Sequence, residues 1–132
     1  MDSTISQRVR QRAGQRCEYC RLPQSASALR FHIEHIIARQ HGGTDDLANL
    51  ALACPECNYQ KGTNLGSIDP DTGKVTPLFH PRLDQWANHF ARTAARIVGK
   101  SSTGRTTVWL LEMNTGDRLR WRETLLHLGL LE

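Results

Sequence analysis

The chain has 132 residues, enough for one domain with a modest hydrophobic core and too few for two independent domains. Lys and Arg number 17 against 13 Asp and Glu, so the formal net charge of +4 favours an anionic partner without requiring one. The sequence shows no apolar run long enough to cross a membrane and no signal-peptide core. We therefore expect a single domain over residues 1–132, in the cytoplasm and without a membrane partner.

The first predicted element is a helix over residues 3–16, capped by Ser3 or Thr4. Alternating apolar and polar residues from 29 to 34 then predict a strand over "LRFHIEHII" (29–37), and "LALA" at 50–53 predicts a second one. Between them lies a loop with two adjacent glycines. The segment "PECNYQKG" after the second strand predicts a short helix, because proline is favoured at its start and glycine at its end.

The second half of the chain gives weaker patterns. Ile68 and Val75 flank a turn of the kind that joins a hairpin. Leu83, Trp86 and Phe90 recur at helical spacing and predict a helix over residues 82–94. A strand near residue 97, a helix or strand over 105–114 and an amphipathic helix over 117–131 complete the predicted order. We place the seam between the halves near residue 62, with a core over residues 17–62 and an extension over 63–132.

Four cysteines form two C-x-x-C pairs, Cys17 with Cys20 and Cys54 with Cys57. In a reducing compartment such pairs are more often metal ligands than disulfides. Four thiolates suit a tetrahedral zinc ion and leave no open position for catalysis, so the pattern predicts a structural zinc site. The alternatives are two redox dithiols or two disulfides, and neither explains why the pairs flank a histidine-rich strand.

A zinc-dependent deaminase is a further alternative, because His32 and Glu34 form an H-x-E followed by a C-x-x-C pair. The deaminase pattern places proline before the first cysteine of that pair, whereas Pro55 follows Cys54 here. That assignment would also leave the first cysteine pair without a role. The order H-x-E-H likewise differs from the H-E-x-x-H of metalloproteases.

The ordered segments "CEYC", "IEHIIARQHGGTDDLANL" and "CPECNYQKG" resemble the HNH nuclease family over residues 17–62. The resemblance implies an α+β fold, a ββα-metal core with structural zinc, flanked by the N-terminal helix and a C-terminal α/β extension. The later segment "PLFHPRLDQWANHF" also resembles the extension of small bacterial HNH proteins.

This resemblance implies a role for four residues. His35 is the general base, Asn49 holds the hairpin loop, and Glu34 and Asn58 bind the catalytic divalent ion. Histidine is the side chain whose ordinary pKa suits deprotonation of water near neutral pH. Carboxylate and amide oxygens favour Mg²⁺ or Mn²⁺ as the catalytic ion. Because neighbouring strand residues point to opposite faces, we expect the strand to end or twist at Glu34.

Two basic residues are candidates for nucleic-acid binding. Arg39 follows the histidine strand, where the resemblance implies a basic residue at the cleft edge. Lys61 lies three residues after Asn58, hence on the same helix face, and could reach a substrate phosphate. We expect His32 to be a hydrogen-bonded structural residue and His41 to lie on the loop surface.

Together these features predict a metal-dependent endonuclease that hydrolyses phosphodiester bonds in DNA and needs no small organic cofactor. The family resemblance implies products with 5′-phosphate and 3′-hydroxyl ends. A zinc-containing nucleic-acid-binding module without catalysis is the main alternative, and the deaminase is the third.

Overall fold

The computed structural model describes residues 2–131. A helix and a turn that carries the first cysteine pair precede a β-hairpin and a second helix, and an extension of short hairpins and two longer helices follows. Within the described part of the chain, no helix is both long and apolar enough to span a bilayer.

Helix α1 runs over Ser3–Arg12, because the Asp2 carboxylate accepts the Ile5 amide at 2.9 Å and so caps the helix. The cap is therefore one residue earlier than predicted. The helix also ends four residues early, and Gly14 with φ 63° turns the chain away. Val9 is fully buried and joins the helix to the core.

The middle of the chain forms the ββα unit that the sequence predicts. Strand β1 (His32–His35) pairs antiparallel with strand β2 (Leu50–Ala53), and His35 lies opposite Leu50. All four residues of β2 are fully buried, as the continuous apolar run LALA predicts. Helix α2 (Pro55–Lys61) follows β2 directly and packs against β1. The α+β fold class is therefore confirmed.

The extension consists of hairpins and helices that pack on the same core. In chain order its elements are β3 (Gly66–Ile68), β4 (Val75–Pro77), α3 (Trp86–His89), β5 (Phe90–Thr93), β6 (Arg96–Gly99), α4 (Ser102–Leu110) and α5 (Gly116–His127). The β3–β4 and β5–β6 pairs are both antiparallel hairpins.

The helix predicted over residues 82–94 is wrong except for one turn in its middle. Only Trp86–His89 is helical, and from Phe90 onward the chain pairs with β6 and turns at Ala94, where φ is 51°. The Trp86 and Phe90 rings do meet, with centroids 5.1 Å apart, whereas Leu83 is 80% exposed. Pairing with β6 buries Phe90, and that tertiary gain outweighs the local helical spacing.

One cluster of buried residues includes side chains from both halves of the chain. The Phe79 ring lies edge-on to Tyr19 of the first cysteine turn at 6.3 Å and to Phe90 of β5 at 5.2 Å. The extension therefore packs directly behind the ββα unit and supports its position.

Candidate metal centre and active site

The four cysteines converge in the interior. Their sulfur atoms lie within 4.8 Å of one another, none is in a disulfide, and the Cys20 and Cys54 sulfurs are 3.7 Å apart. A tetrahedral zinc ion with Zn–S bonds of about 2.3 Å requires sulfur atoms about 3.8 Å apart. The spacing and the donor set therefore fit zinc.

Local backbone geometry aims the sulfurs at one point. The Cys20 amide points to the Cys17 sulfur at 3.5 Å, and the Cys57 amide points to the Cys54 sulfur at 3.4 Å. Burial raises the pKa of the Cys57 thiol, and hydrogen bonds with neighbouring sulfurs raise that of Cys54. A divalent cation reverses this effect because it stabilises the thiolates.

Arg118 of α5 contacts this sulfur cluster. Its Nη2 lies 3.1 Å from the Cys57 sulfur and 3.8 Å from that of Cys54, while Nη1 donates to the Leu111 carbonyl at 2.9 Å. Burial lowers the pKa of Arg118, but the cysteine sulfurs together raise it by more than burial lowers it. The pKa of Arg118 therefore lies above its ordinary value. Sequence reasoning missed this role, since no spacing relates Arg118 to cysteines more than 60 positions earlier.

Strand β1 places Glu34 on its inner face. The carboxylate is 6% exposed, and its Oε1 accepts the Tyr19 hydroxyl at 3.0 Å and lies 3.0 Å from Lys61 Nζ. Burial raises the pKa of Glu34, and Lys61 and Tyr19 oppose that rise. The other oxygen, Oε2, is buried and has no hydrogen-bond partner among the described residues.

Lys61 lies inside the protein and not at a nucleic-acid surface. Its side chain is 2% exposed, and Nζ also donates to the Ile36 carbonyl at 2.9 Å. The reason is that the last turn of α2 packs beneath β1, so the long side chain runs under the strand. The structure therefore gives the predicted phosphate contact of Lys61 no support.

His35 lies on the opposite face of β1 from Glu34. Its side chain is 22% exposed, and Nε2 lies 2.7 Å from Oδ1 of Asp45 in the glycine loop. Arg39 donates to both oxygens of the same carboxylate, at 2.9 and 3.1 Å. Hydrogen bonding with His35, and then the nearby charge of Arg39, lowers the pKa of Asp45. The sequence did not single out Asp45, because no local pattern relates this loop residue to a histidine ten positions earlier.

Asn49 ties the glycine loop to the end of β1. Its Oδ1 accepts the Ile37 amide at 2.9 Å, and its Nδ2 donates to the carbonyls of Ile37 at 3.0 Å and Thr44 at 2.8 Å. A Cβ at Gly43 would lie 1.7 Å from the Ile37 carbonyl oxygen, so only glycine allows this close approach. The loop geometry thus depends on both residues.

The remaining predicted residues separate in space. Asn58 is half-buried on α2, and its side chain makes no hydrogen bond to another described residue. The His32 side chain is exposed and makes no hydrogen bond to another described residue, in contrast to the prediction. His41 lies on the surface, with Nε2 3.1 Å from the Thr63 carbonyl. Glu34 and His35 both lie within β1, so the strand does not end between them.

A buried four-cysteine site beside a ββα unit defines the class of domain. Residues 17–64 match the sequence model of the family described as HNH endonuclease. This segment of the chain therefore has the sequence pattern of an HNH endonuclease domain, as the resemblance implied.

The chain is also similar to the Septu protein PtuB of Bacillus thuringiensis, with 28% identity over 106 residues. The aligned region covers 79% of this chain and 38% of PtuB, so the chain spans less than two fifths of that relative. No solved structure matches the chain.

Proposed function

We propose that the protein is a metal-dependent endonuclease that hydrolyses phosphodiester bonds in DNA, with His35 as its general base. The observation that carries the proposal is the short contact between His35 and Asp45 within an HNH domain. It presents a partly exposed imidazole whose orientation is held by a carboxylate.

The contact with Asp45 decides which imidazole nitrogen can act. If Nε2 carries the proton that is donated to Asp45, then Nδ1 is unprotonated and can accept a proton from water. A lowered pKa keeps Asp45 ionised at neutral pH, so its charge stabilises the imidazolium that forms. Asp45 is thus a positioning residue. Arg39 holds Asp45 from the other side and is 70% exposed, so it can also contact a phosphate.

The proposed catalytic ion is Mg²⁺ or Mn²⁺, held by Glu34 and Asn58. Two observations fit this assignment: Glu34 Oε2 is a buried oxygen without a partner, and the Asn58 amide is unengaged among the described residues. Hard oxygen donors of this kind suit such cations. When bound, the ion would neutralise charge on the phosphate and the leaving oxygen. Lys61 fixes the carboxylate by its contact with Oε1.

A non-catalytic nucleic-acid-binding module is the second candidate, and one observation favours it. Glu34 is ion-paired with Lys61 on the inner face of β1, whereas His35 lies on the other face. In such a module the acidic residue would stabilise the fold, and the protein would bind DNA without cutting it.

Plasmid cleavage by the zinc-loaded protein, with Mg²⁺, Mn²⁺ or no added metal, separates the two candidates. We expect metal-dependent nicking that His35→Ala reduces by about 10²- to 10⁴-fold, the usual contribution of a general base. DNA affinity and zinc content should stay at the wild-type level. Zinc-loaded wild-type protein that cuts DNA in neither metal would refute the enzyme proposal.

The Asp45→Asn variant tests the positioning role. Loss of the correct histidine tautomer lowers kcat by up to about 10⁴-fold where the carboxylate that holds the histidine is buried. Because Asp45 is 56% exposed, we expect Asp45→Asn to lower kcat by roughly 10- to 100-fold. The loss should fall on kcat with DNA affinity unchanged, and Asp45→Glu should recover part of it. Asp46→Asn, the matched control, changes a neighbouring carboxylate that contacts Thr44 and not His35. Equal losses in both asparagine variants would contradict the role.

A further inference from the structure

A basic cleft of about 310 Å³ lies beside the first cysteine turn, away from the residues assigned to catalysis. Among the described residues, its lining combines three arginines with one aromatic ring and includes no acidic residue: Arg16, Cys20, Arg21, Trp86, Arg92 and Ile97. We name it the arginine cleft.

Backbone geometry holds two of the arginines together. Arg16 and Pro23 form an antiparallel bridge that closes the cysteine turn, and the Arg21 amide donates to the Cys17 carbonyl at 2.9 Å. Arg21 has φ 68°, a left-handed conformation that non-glycine residues seldom adopt. Arg16 also donates to the Arg21 carbonyl at 3.3 Å. The turn therefore fixes both side chains on one side of the cleft.

Trp86 forms the wall on which Arg21 lies. The Arg21 guanidinium carbon is 5.2 Å from the centre of the indole ring, a cation–π contact. Stacking of this kind leaves the edge of the guanidinium, where its N–H donors lie, open to a second partner. The ring itself is anchored, because its N–H donates to the Tyr19 carbonyl at 2.8 Å.

At Arg21 and Arg92, positive charge is only partly compensated by the described residues. The nearby Glu18 carboxylate is already held by Arg82 and accepts the Leu52 amide. The cysteine sulfurs of the first turn also lie near Arg21, and zinc and Arg118 would offset their charge. The Arg92 side chain makes no hydrogen bond or ion pair with another described residue, although its backbone pairs with Ile97 in the β5–β6 hairpin. A bound anion would relieve the repulsion between the guanidinium groups.

The cleft is connected to the proposed active site through one buried residue. Tyr19 accepts the Trp86 N–H with its carbonyl and donates its hydroxyl to Glu34 at 3.0 Å. Tyr19 is fully buried, so this link is rigid. An anion held in the cleft would therefore keep a defined position relative to the hairpin.

We propose that the arginine cleft binds a backbone phosphate of DNA other than the one that is cleaved. Planar guanidinium groups match the geometry of phosphate oxygens, and an acid-free lining favours a group of this charge. This inference rests on the proposed function for the identity of the anion. It adds a second point of contact, which would fix the direction in which the duplex crosses the hairpin.

The test is a salt titration of DNA binding by the full chain, with all proteins carrying His35→Ala so that no DNA is cut. Fluorescence anisotropy with a labelled 20-base-pair duplex would measure Kd from 50 to 200 mM salt. The variant is R21Q/R92Q, which removes two cleft charges. The matched control is R8Q/K74Q, which removes two exposed charges elsewhere.

We expect R21Q/R92Q to weaken binding about tenfold or more and to lower the slope of log Kd against log salt by about 1, since the one phosphate contact that is lost contributes about 0.9. The control should change both by much less. Equal effects in the two double variants would show general electrostatics and overturn the proposal, as would an unchanged slope in R21Q/R92Q.

A further variant guards against loss of folding. Arg92→Glu removes no side-chain hydrogen bond. It should weaken DNA binding while zinc content and thermal stability stay at their wild-type values. Failure of the nuclease proposal is separately visible, because protein with native His35 would then cut no plasmid while the effect of R21Q/R92Q on binding persisted. If protein with native His35 cuts plasmid normally and R21Q/R92Q leaves the salt dependence of binding unaltered, the cleft proposal alone is overturned.

Discussion

Lys61→Met tests whether the ion pair beneath β1 is a structural element. The substitution keeps the length and apolar stem of the side chain but removes the ammonium 3.0 Å from Glu34. Glu34, only 6% exposed, would then hold an unpaired charge. Breaking a buried pair in this way costs about 3–5 kcal/mol of the free energy of unfolding. For 132 residues this corresponds to a fall in Tm of about 11–18 °C.

The cost should depend on pH. Burial raises the pKa of Glu34 above its unfolded value, so the folded state binds a proton more tightly and its stability falls as pH rises between the two pKa values. Without Lys61 the folded pKa rises further. The deficit of Lys61→Met relative to the wild type should therefore be largest near pH 8 and should shrink towards pH 5 as Glu34 takes up a proton.

Urea unfolding of both proteins at fixed free zinc, at pH 5.5 and pH 8, measures this deficit. Lys61→Met/Glu34→Gln should recover a large part of the stability, because the neutral amide needs no counter-charge. Lys74→Met, on an exposed turn, should stay within about 0.5 kcal/mol of the wild type. An ordinary surface ion pair contributes at most about 1 kcal/mol. A free energy of unfolding of Lys61→Met within about 1 kcal/mol of the wild-type value at pH 8 would therefore refute the structural role of the pair.

Further expectations concern zinc and the glycine loop. Metal analysis should find zinc at the four-cysteine site, and its removal by a chelator should unfold the chain cooperatively, as circular dichroism would show. Arg118→Met should weaken zinc retention at least about tenfold in a competition with a chromophoric chelator, whereas Arg120→Met, which alters an exposed residue two positions on, should not. Gly43→Ala should cost about 2–3 kcal/mol in urea unfolding and reduce cleavage, because its Cβ meets the Ile37 carbonyl. Gly42→Ala, at φ 86° but in open space, should cost about 1 kcal/mol and leave cleavage near normal.

The ββα unit and its cysteines could be predicted because their signals are local. The alternation of apolar and polar residues indicates which side chains of a short strand face inward, and a C-x-x-C spacing places two sulfurs on one turn. The α3–β5 boundary could not be predicted in the same way. Trp86 and Phe90 have helical spacing, but β6, which decides the strand, lies several residues further along the chain.

The candidate site divides similarly. His35, Asn49 and the four cysteines could be named from their order along the chain. The catalytic roles of His35 and Asn49 stay predictions. The side of the molecule to which Lys61 points could not be read from helical spacing alone. That spacing puts Lys61 on the face of Asn58, but whether the face meets solvent or strand depends on how α2 packs.

By itself, the sequence determined the chemical inventory of the HNH domain: four thiols in two pairs, an acidic residue beside a histidine, and two asparagines at fixed separations. These features follow from residue identity and short-range geometry. Only the tertiary structure decided which charges meet, because the contacts of Asp45 with His35, Lys61 with Glu34 and Arg118 with Cys57 each join separate elements. Such contacts depend on the packing of loop, helix and extension around one core, which no local pattern encodes.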